Sequence, residues 1–381
     1  MQTRVSDMLG IEFPILAFSH CRDVVAAVTN AGGLGVLGAV SHTPEHLEID
    51  LAWIEEQVHG RPYGIDLLLP QKYVGADEGG LDRDALRHLL APEQQAFVDD
   101  ILRRYQVPEL PDDVRAQIAR SSGLSSVSPR GHGPLLDVAF SRRPRLVASA
   151  LGSPPPTLIE RAHGAGVLVA ALAGARVHAE RHMAAGADLI VAQGTEAGGH
   201  TGEIATMVLV PEVVDAVAPT PVLAAGGIAS GRQIAAALAL GAEGVWCGSV
   251  WLTTEEAETQ PAVKEKFLAA TSRDTIRSRS LTGKPARMLR SAWTDEWERE
   301  DAPAPLGLPL QSALVAEAQS RIGRSASKPG SGANKLANYF VGQVVGQMNQ
   351  VKPARQVVLD MVTEYAEVAQ RFAEQVEAAT R

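Results

Sequence analysis

Cysteine is nearly absent. The 381-residue chain has two, Cys21 and Cys247, each in or beside a predicted strand, with no CxxC pair and no His/Cys cluster at metal-ligand spacing. That argues against a disulfide framework and against a zinc site. Positive charge is also in deficit: 35 Lys and Arg face 44 Asp and Glu, for a net charge of -9. A nucleic-acid groove or an anionic membrane surface needs clustered cations, so neither is expected as a partner. No window approaches the roughly 18 apolar residues of a membrane span, and MQTRVSDMLGIEFPIL lacks a basic stretch ahead of a long apolar run, so the cytoplasm is the default location. Aromatic residues are only 4% of the chain and form no regular platform for bases; Trp246 and Trp251 read as packing residues. There is no internal repeat, no low-complexity tail, and no GxGxxG after an early strand. What remains, 45% apolar and 21% charged, is an ordinary globular composition suited to a small-molecule ligand.

Eight short apolar runs read as strands: Pro14 to Phe18, Leu34 to Val40, Tyr63 to Leu69, Arg145 to Leu151, Val167 to Leu172, Asp188 to Ala192, Pro221 to Ala225 and Gly244 to Val250. Most are apolar on both faces, as buried parallel strands are. Helical patterns fall between them at Asp23 to Ala31, Pro44 to Gln57, Pro155 to His163, Ala175 to Ala184, Val210 to Ala216 and Ser230 to Leu240. The alternation predicts an α/β fold, a (β/α)8 TIM barrel, with a doubly wound sheet as the alternative. Ala31-Gly-Gly33 and Ala184-Ala-Gly186 supply glycines for helix ends and need no ligand to explain them. Ser230 reads as the N-cap of its helix.

The barrel is assigned to residues 1–258, interrupted by a helical insertion at 71–144. Within the insertion, Pro92 to Arg104 and Asp112 to Ala119 look helical, while Gly75 to Gly80 and Gly123 to Gly133 look like loops. A βα insertion lies on the ligand face of a barrel, where it covers a substrate, decorates the surface or forms a dimer contact. Whether the chain forms homo-oligomers is left open. Residues 259–381 read as an appended helical region: Glu255 to Ala270 and Ile276 to Arg290 helical in whole or part, a Pro-rich stretch at Asp301 to Pro309, a helix at Gln311 to Ile322, a loop at Gly323 to Asn334, then two helical patterns broken near Pro353.

The chemistry concentrates in Ala192 to Glu203, AQGTEAGGHTGE, directly after the sixth strand. Gly194, Gly198, Gly199 and Gly202 strip side chains from the loop, so a planar or anionic ligand can reach its backbone amides. His200 is the ionisable base within it. Imidazole titrates near neutrality and can take a proton or steady an anion. Glu196 reads as a loop-shaping hydrogen bonder, and His163, His178 and His182 as solvated helix faces. The loops after the seventh and eighth strands, Ala225-Gly226-Gly227-Ile228 and Cys247-Gly248-Ser249, occupy the usual phosphate position of such barrels, which suggests a phosphorylated cofactor.

The EAGGH core after a strand resembles the signature of the nitronate monooxygenase family, formerly 2-nitropropane dioxygenases, whose relatives include enoyl-acyl-carrier-protein reductases and NADH:quinone reductases. The resemblance covers the barrel strands and the helices after Pro353, not the insertion. It implies FMN as cofactor and no metal. Gly226, Gly227, Gly248 and Ser249 match the positions that hold the FMN phosphate. Gln193, Gly198 and Gly199 match positions lining the flavin, and Ala17, Phe18, Ser19 and His20 match the first-strand contact. Asp66, in Gly64-Ile65-Asp66, stands where the family usually has Asn, and Ser19-His20 where relatives often carry PM or GGM. A carboxylate there disfavours an anionic reduced flavin unless it is protonated or paired, and His20 is the candidate partner. The implied activity is oxidation of alkyl nitronates by O2 with His200 as base or hydrogen-bond donor. The alternatives are an NAD(P)H-dependent reductase of an enoyl thioester (acyl-CoA or acyl carrier protein) or quinone, and a non-catalytic flavin- or phosphate-binding barrel.

Overall fold

A computed structural model describes residues 1–70, 72–78, 80, 83–121 and 129–379. All eight expected strands form. β1 (Ile15–Ser19), β2 (Leu34–Gly38), β3 (Gly64–Leu68), β4 (Leu146–Ala150), β5 (Leu168–Ala173), β6 (Leu189–Gln193), β8 (Val222–Ala225) and β9 (Gly244–Cys247) pair in parallel, and β9 returns to β1, closing the barrel. That closure excludes the doubly wound alternative. The eighth strand stops at Cys247, and Ser249–Thr253 winds into a 3-10 turn instead of extending to Val250.

Alternation along each strand divides two cores. One face, with Leu16, Val36, Ala148, Val191, Leu223 and Trp246, fills the barrel. The Arg4–Leu9 helix joins this interior through Val5 and Leu9. Its Thr3 cap bonds Glu243 O, and Arg145 reaches Met8 O, both just ahead of strand starts, so this helix closes the N-terminal end. The other face, with Ile15, Ala17, Ile190, Val222 and Val245, packs against the helix ring. Gly32 and Gly186 follow helix ends with φ of +96° and +98°, the helix-terminating role expected of them.

The helix ring is completed from far away in sequence. Pro353 starts one long helix, Ala354–Ala379, as the expected break there implies, whereas the pattern expected ahead of it, from Leu336, holds only a short 3-10 turn, Gln343–Gln347. The long helix packs between Arg22–Asn30 and Gly231–Ala239, burying Ala354, Val358 and Met361 beside Val24 and Ile234. Gly231 is required there, since a Cβ would strike the backbone of Met361 and Tyr365.

The insertion is divided between two cores. Its last helix, Pro129–Ser141, packs on Pro44–Val58 as an ordinary barrel helix, with Leu135 and Ala139 buried. The loop expected at Gly123–Gly133 lies largely outside the described residues, and its end, from Pro129, is helix. Gly75–Gly80 is described except for residue 79 and contains a short turn, Ala76–Glu78. Pro92–Arg104 turns away and packs on Leu310–Ser325, where Val98, Ile101 and Leu102 share a core with Phe267, Trp293 and Ile322. The Arg104 guanidinium grips Glu296 with two bonds of 2.7 and 2.8 Å, and the Tyr105 hydroxyl donates to the same carboxylate.

Ile276–Arg290 is not helical. It forms an antiparallel hairpin, β10 (Thr275–Ser278) and β11 (Ala286–Leu289), and β11 pairs with β7 (Gly199–His200) in the loop after β6. Gly283 and Pro285 break any helix between the strands. Glu255–Ala270 is helical only from Pro261 to Ala269, and the presumed loop at Gly323–Asn334 is helical at both ends, being overlapped by Leu310–Ser325 and Ala333–Leu336. Among the described residues, no helix is long and apolar enough to cross a membrane.

Candidate active site

The inward positions at the C-terminal ends of the strands form a shallow, small-residue floor. Gly38, Ala148 and Ala225 leave room above the barrel core, and Phe18 stacks on Trp246 with ring centroids 6.3 Å apart. His20 meets the edge of Phe18 at 5.1 Å. A side chain at Gly38 would come within 2.8 Å of both rings. Ala17 faces outward into the helix layer, so only its backbone adjoins the mouth. Ser19 Oγ accepts from Cys21 N, which ties it to the start of the next helix.

His20 is not the partner of Asp66. Its Nδ1–H donates to Gly38 O at 2.8 Å, and burial lowers its pKa, leaving a neutral ring. Asp66, in register with Gly38 and Ala148, is 7% exposed and has no partner among the described residues. Burial pushes its carboxyl up to about 8, so it is protonated at neutral pH. The site is therefore spared the unpaired negative charge that an Asn-to-Asp change would otherwise bring.

Three segments converge on the loop after β6. Gln193 ends that strand opposite Ala225. Glu196 has the loop-shaping role: its carboxylate accepts from Thr206 N at 3.0 Å and from the Thr206 hydroxyl at 2.8 Å. Thr206 Oγ1 also lies 3.1 Å from Gly226 O, linking the loops after β6 and β8. Residues 341–343 strap the loop from outside, with Gly342 N donating to Ser249 Oγ at 2.8 Å and Gln343 N to Glu196 O at 2.9 Å. Arg287 on β11 holds it from a third side, donating from Nε to Thr195 O at 2.8 Å.

The two adjacent glycines of this loop serve different ends. A Cβ on Gly198 would stand 2.8 Å from Gly342 N, so Gly198 admits the strap. Gly199 has φ +76° and nothing within 4 Å of a Cβ position, so it borders open space. His200 follows it. Its imidazole Nε2 lies 2.9 Å from Thr282 Oγ1, with the Phe340 ring 6.3 Å away. Burial, reinforced by the positive charge of Lys284, pushes its pKa down to about 4. Glu203 is exposed and sits 3.7 Å from Arg277.

The loops after β8 and β9 supply free donors. Gly226 and Gly227 take φ of +107° and +69°, and the N–H groups of Gly227, Ile228 and Ser249 have no acceptor among the described residues. Ser230 occupies the N-cap position of Gly231–Ala239, but its hydroxyl makes no cap; Glu364 accepts from Gly231 N instead, at 2.7 Å. That helix end is thus closed to an anion, and the free amides are those of the preceding turn. A cavity of about 330 Å³ borders these loops, lined by Glu196, Thr206, Gly226, Gly227, Gln233 and Gln343. A larger one, about 460 Å³, lies between Pro261–Glu265 and residues 326–335, apart from the barrel mouth.

Outside the mouth, His182 departs from expectation. It is buried, bonded to Ser153 Oγ and Leu172 O, whereas His163 and His178 are exposed as expected. Trp246 and Trp251 are packing residues, 5% and 1% exposed. Both cysteines are free and buried; Cys21 lies near Asp23 and Glu258, but its thiol donates to Glu256 O and burial raises its pKa, so it is not a thiolate. Thr206, Thr282, Arg287 and Gly342 have no motif around them, and only the folded chain brings them to the loop.

The comparisons with known proteins agree on the family. The family model described as nitronate monooxygenase matches residues 2–364. The chain is 68% identical over 365 residues to the Mycobacterium tuberculosis protein Rv1533, named provisionally as a monooxygenase, covering 96% of each. Among solved structures, nitroalkane oxidase from Streptomyces ansochromogenes superposes with a TM-score of 0.76 at 28% identity, over 97% of this chain and 99% of that one. FabK from Thermotoga maritima gives 0.71 at 28% identity, over 98% and 99%. A closed parallel barrel with a glycine-lined histidine at its mouth, matched along nearly its whole length, makes this chain an oxidoreductase that belongs to the nitronate monooxygenase family.

Proposed function

We propose that the protein binds FMN and oxidises alkyl nitronates with O2. The observation that carries this reading is a neutral His200 next to the open, left-handed Gly199, with unpaired backbone donors at Gly227, Ile228 and Ser249 in the loops after the next two strands of the barrel. These features fit the cofactor. A phosphate needs several N–H donors without competing acceptors, and the turns after β8 and β9 supply them. A flat ring system needs a face without side chains, which Gly199 leaves open, while Gly248 lies against the Phe18 ring, 3.8 Å from a Cβ placed there. When bound, FMN would supply the electron-accepting chemistry; the chain supplies position, polarity and proton handling.

Phe18 and Trp246 form an apolar floor that excludes water from beneath the mouth. Asp66 offers an O–H donor without a charge at neutral pH. His200 is neutral above about pH 4, so it can accept a proton or donate its single N–H. Ala17, Ser19 and His20 complete the first-strand wall, and Gln193 and Gly198 the wall after β6. The substrate is a small molecule, of which propionate 3-nitronate is the first to try.

The likeness to FabK favours a second reading, reduction of an enoyl thioester or quinone by NADH or NADPH on the same scaffold. Anaerobic visible spectra of the FMN-loaded protein decide between them. Bleaching by propionate 3-nitronate and not by NADH or NADPH is expected; bleaching by a nicotinamide alone would overturn the monooxygenase reading. Flavin retained with no bleaching by any of the three would point instead to a carrier.

A further inference from the structure

His200 leaves two roles open, proton acceptor or hydrogen-bond donor, and its surroundings decide between them. Three contacts meet at Thr282 Oγ1. His200 Nε2 lies 2.9 Å away, Lys284 O 3.2 Å, and Lys284 N donates to the same oxygen at 3.4 Å. A threonine hydroxyl has one proton to give. Lys284 O has no other donor among the described residues, and Pro285, with no N–H, interrupts the β7–β11 ladder beside it. If the hydroxyl proton goes to Lys284 O, the oxygen must accept from His200, and the imidazole proton is on Nε2. The opposite tautomer would spend the hydroxyl proton on His200 and leave the carbonyl of this part-buried turn without a protein donor.

We infer that Thr282 is a positioning residue that holds His200 as the Nε2–H tautomer, so that its unbonded Nδ1 carries the lone pair and acts as proton acceptor. This rests on the reading of His200 as the reacting imidazole. The acceptor role suits a carbon acid: the C–H bond next to a nitro group breaks, its proton passes to Nδ1, and its electron pair stays in the substrate as the nitronate. A preformed nitronate has already lost that proton and does not need the acceptor. The charged group facing the ring is Lys284, on the same turn, and the packed neighbour from the other side is the uncharged Phe340. The Ala286–His200 register fixes the height of the ring against β11, so the hydroxyl decides its chemistry and the sheet its place.

The tautomer is measurable without turnover. In protein labelled with nitrogen-15 at histidine, His200 should show a protonated Nε2 and a bare Nδ1 at pH 7; a protonated Nδ1 in the unmodified protein overturns the inference, whatever the substrate proves to be. Thr282→Val should yield a mixed or reversed tautomer. On the FMN-loaded enzyme it should lower kcat for nitroethane about tenfold or more, while ethylnitronate turnover stays within about twofold, and Thr282→Ser should restore nitroethane turnover. Equal losses on both substrates would assign Thr282 to loop structure alone and sink the positioning role. An unmodified enzyme that oxidises neither substrate counts against the proposed function, and leaves the tautomer measurement to stand by itself.

Discussion

At Asp66 the barrel buries a carboxyl without a counter-charge, and the protein's pH response should show it. In the folded chain the group holds its proton to about pH 8, whereas in the unfolded chain it ionises near 4. Between those values the folded state binds more protons, so stability falls as pH rises, and it levels off above about 8. Asp66→Asn, which keeps the shape and removes the titrating proton, should remove that slope, which paired urea titrations of the apoprotein at pH 5 and 7.5 would detect. A variant as pH-dependent as the parent would show that Asp66 is ionised after all. His200 shifts the other way. Its acid limb in kcat/KM should lie near pH 4, and Lys284→Met should move it upward. His200→Gln should keep flavin and lose about 10²–10⁴-fold in turnover of nitroethane, the substrate that must give up a proton. Of these residues, His200 and the glycines around it were legible in the sequence because they are consecutive. Thr282, 82 positions away, was not, because no local pattern signals a contact made by folding.

The two adjacent glycines of the β6 loop allow an element-level test. Gly198→Ala would drive a methyl group into the backbone of residues 341 and 342, so it should cost about 1–3 kcal/mol of apoprotein stability as the strap shifts. Gly199→Ala meets open space; it should cost only about 1 kcal/mol through its positive φ and act chiefly on FMN affinity. Calorimetry of the apoproteins beside flavin titrations separates the two, and a Gly198 variant with parental melting and weakened flavin would contradict the strap. The strands of the barrel were readable because parallel strands buried on both faces are written as short apolar runs. β10 and β11 were not. Arg277 and Arg287 within them, and Arg279 between them, give a polar composition that resembles a solvated helix, and the pairing of β11 with Gly199–His200 is non-local. Ser230 was read correctly as the N-cap position, but the acceptor that closes its helix was not legible: Glu364 lies 133 residues beyond Gly231.

Across the whole molecule, the insertion and the region after the barrel share one apolar core, with Glu296 receiving Arg104, Tyr105 and Arg299 at its edge. Glu296 is 9% exposed as a side chain, so Glu296→Ala should leave those donors short of an acceptor and cost about 1–3 kcal/mol. Limited proteolysis should then open first within Pro92–Arg104, while a cut confined to the barrel helices would place the weak point elsewhere. This shared core was invisible in the sequence, where the two parts are separated by most of the barrel.

The helix that completes the ring, Ala354–Ala379, bears on how the chain is made. Val24 and Val28 wait for it from the first tens of residues of synthesis. At about 5–20 residues per second a ribosome needs tens of seconds to cover that distance, and until then the nascent protein displays an apolar stripe. Chaperone occupancy on translating ribosomes should therefore persist until that helix emerges. A chain truncated ahead of residue 354 should keep that stripe exposed and fail to reach a stable fold, a loss of protein and not of rate.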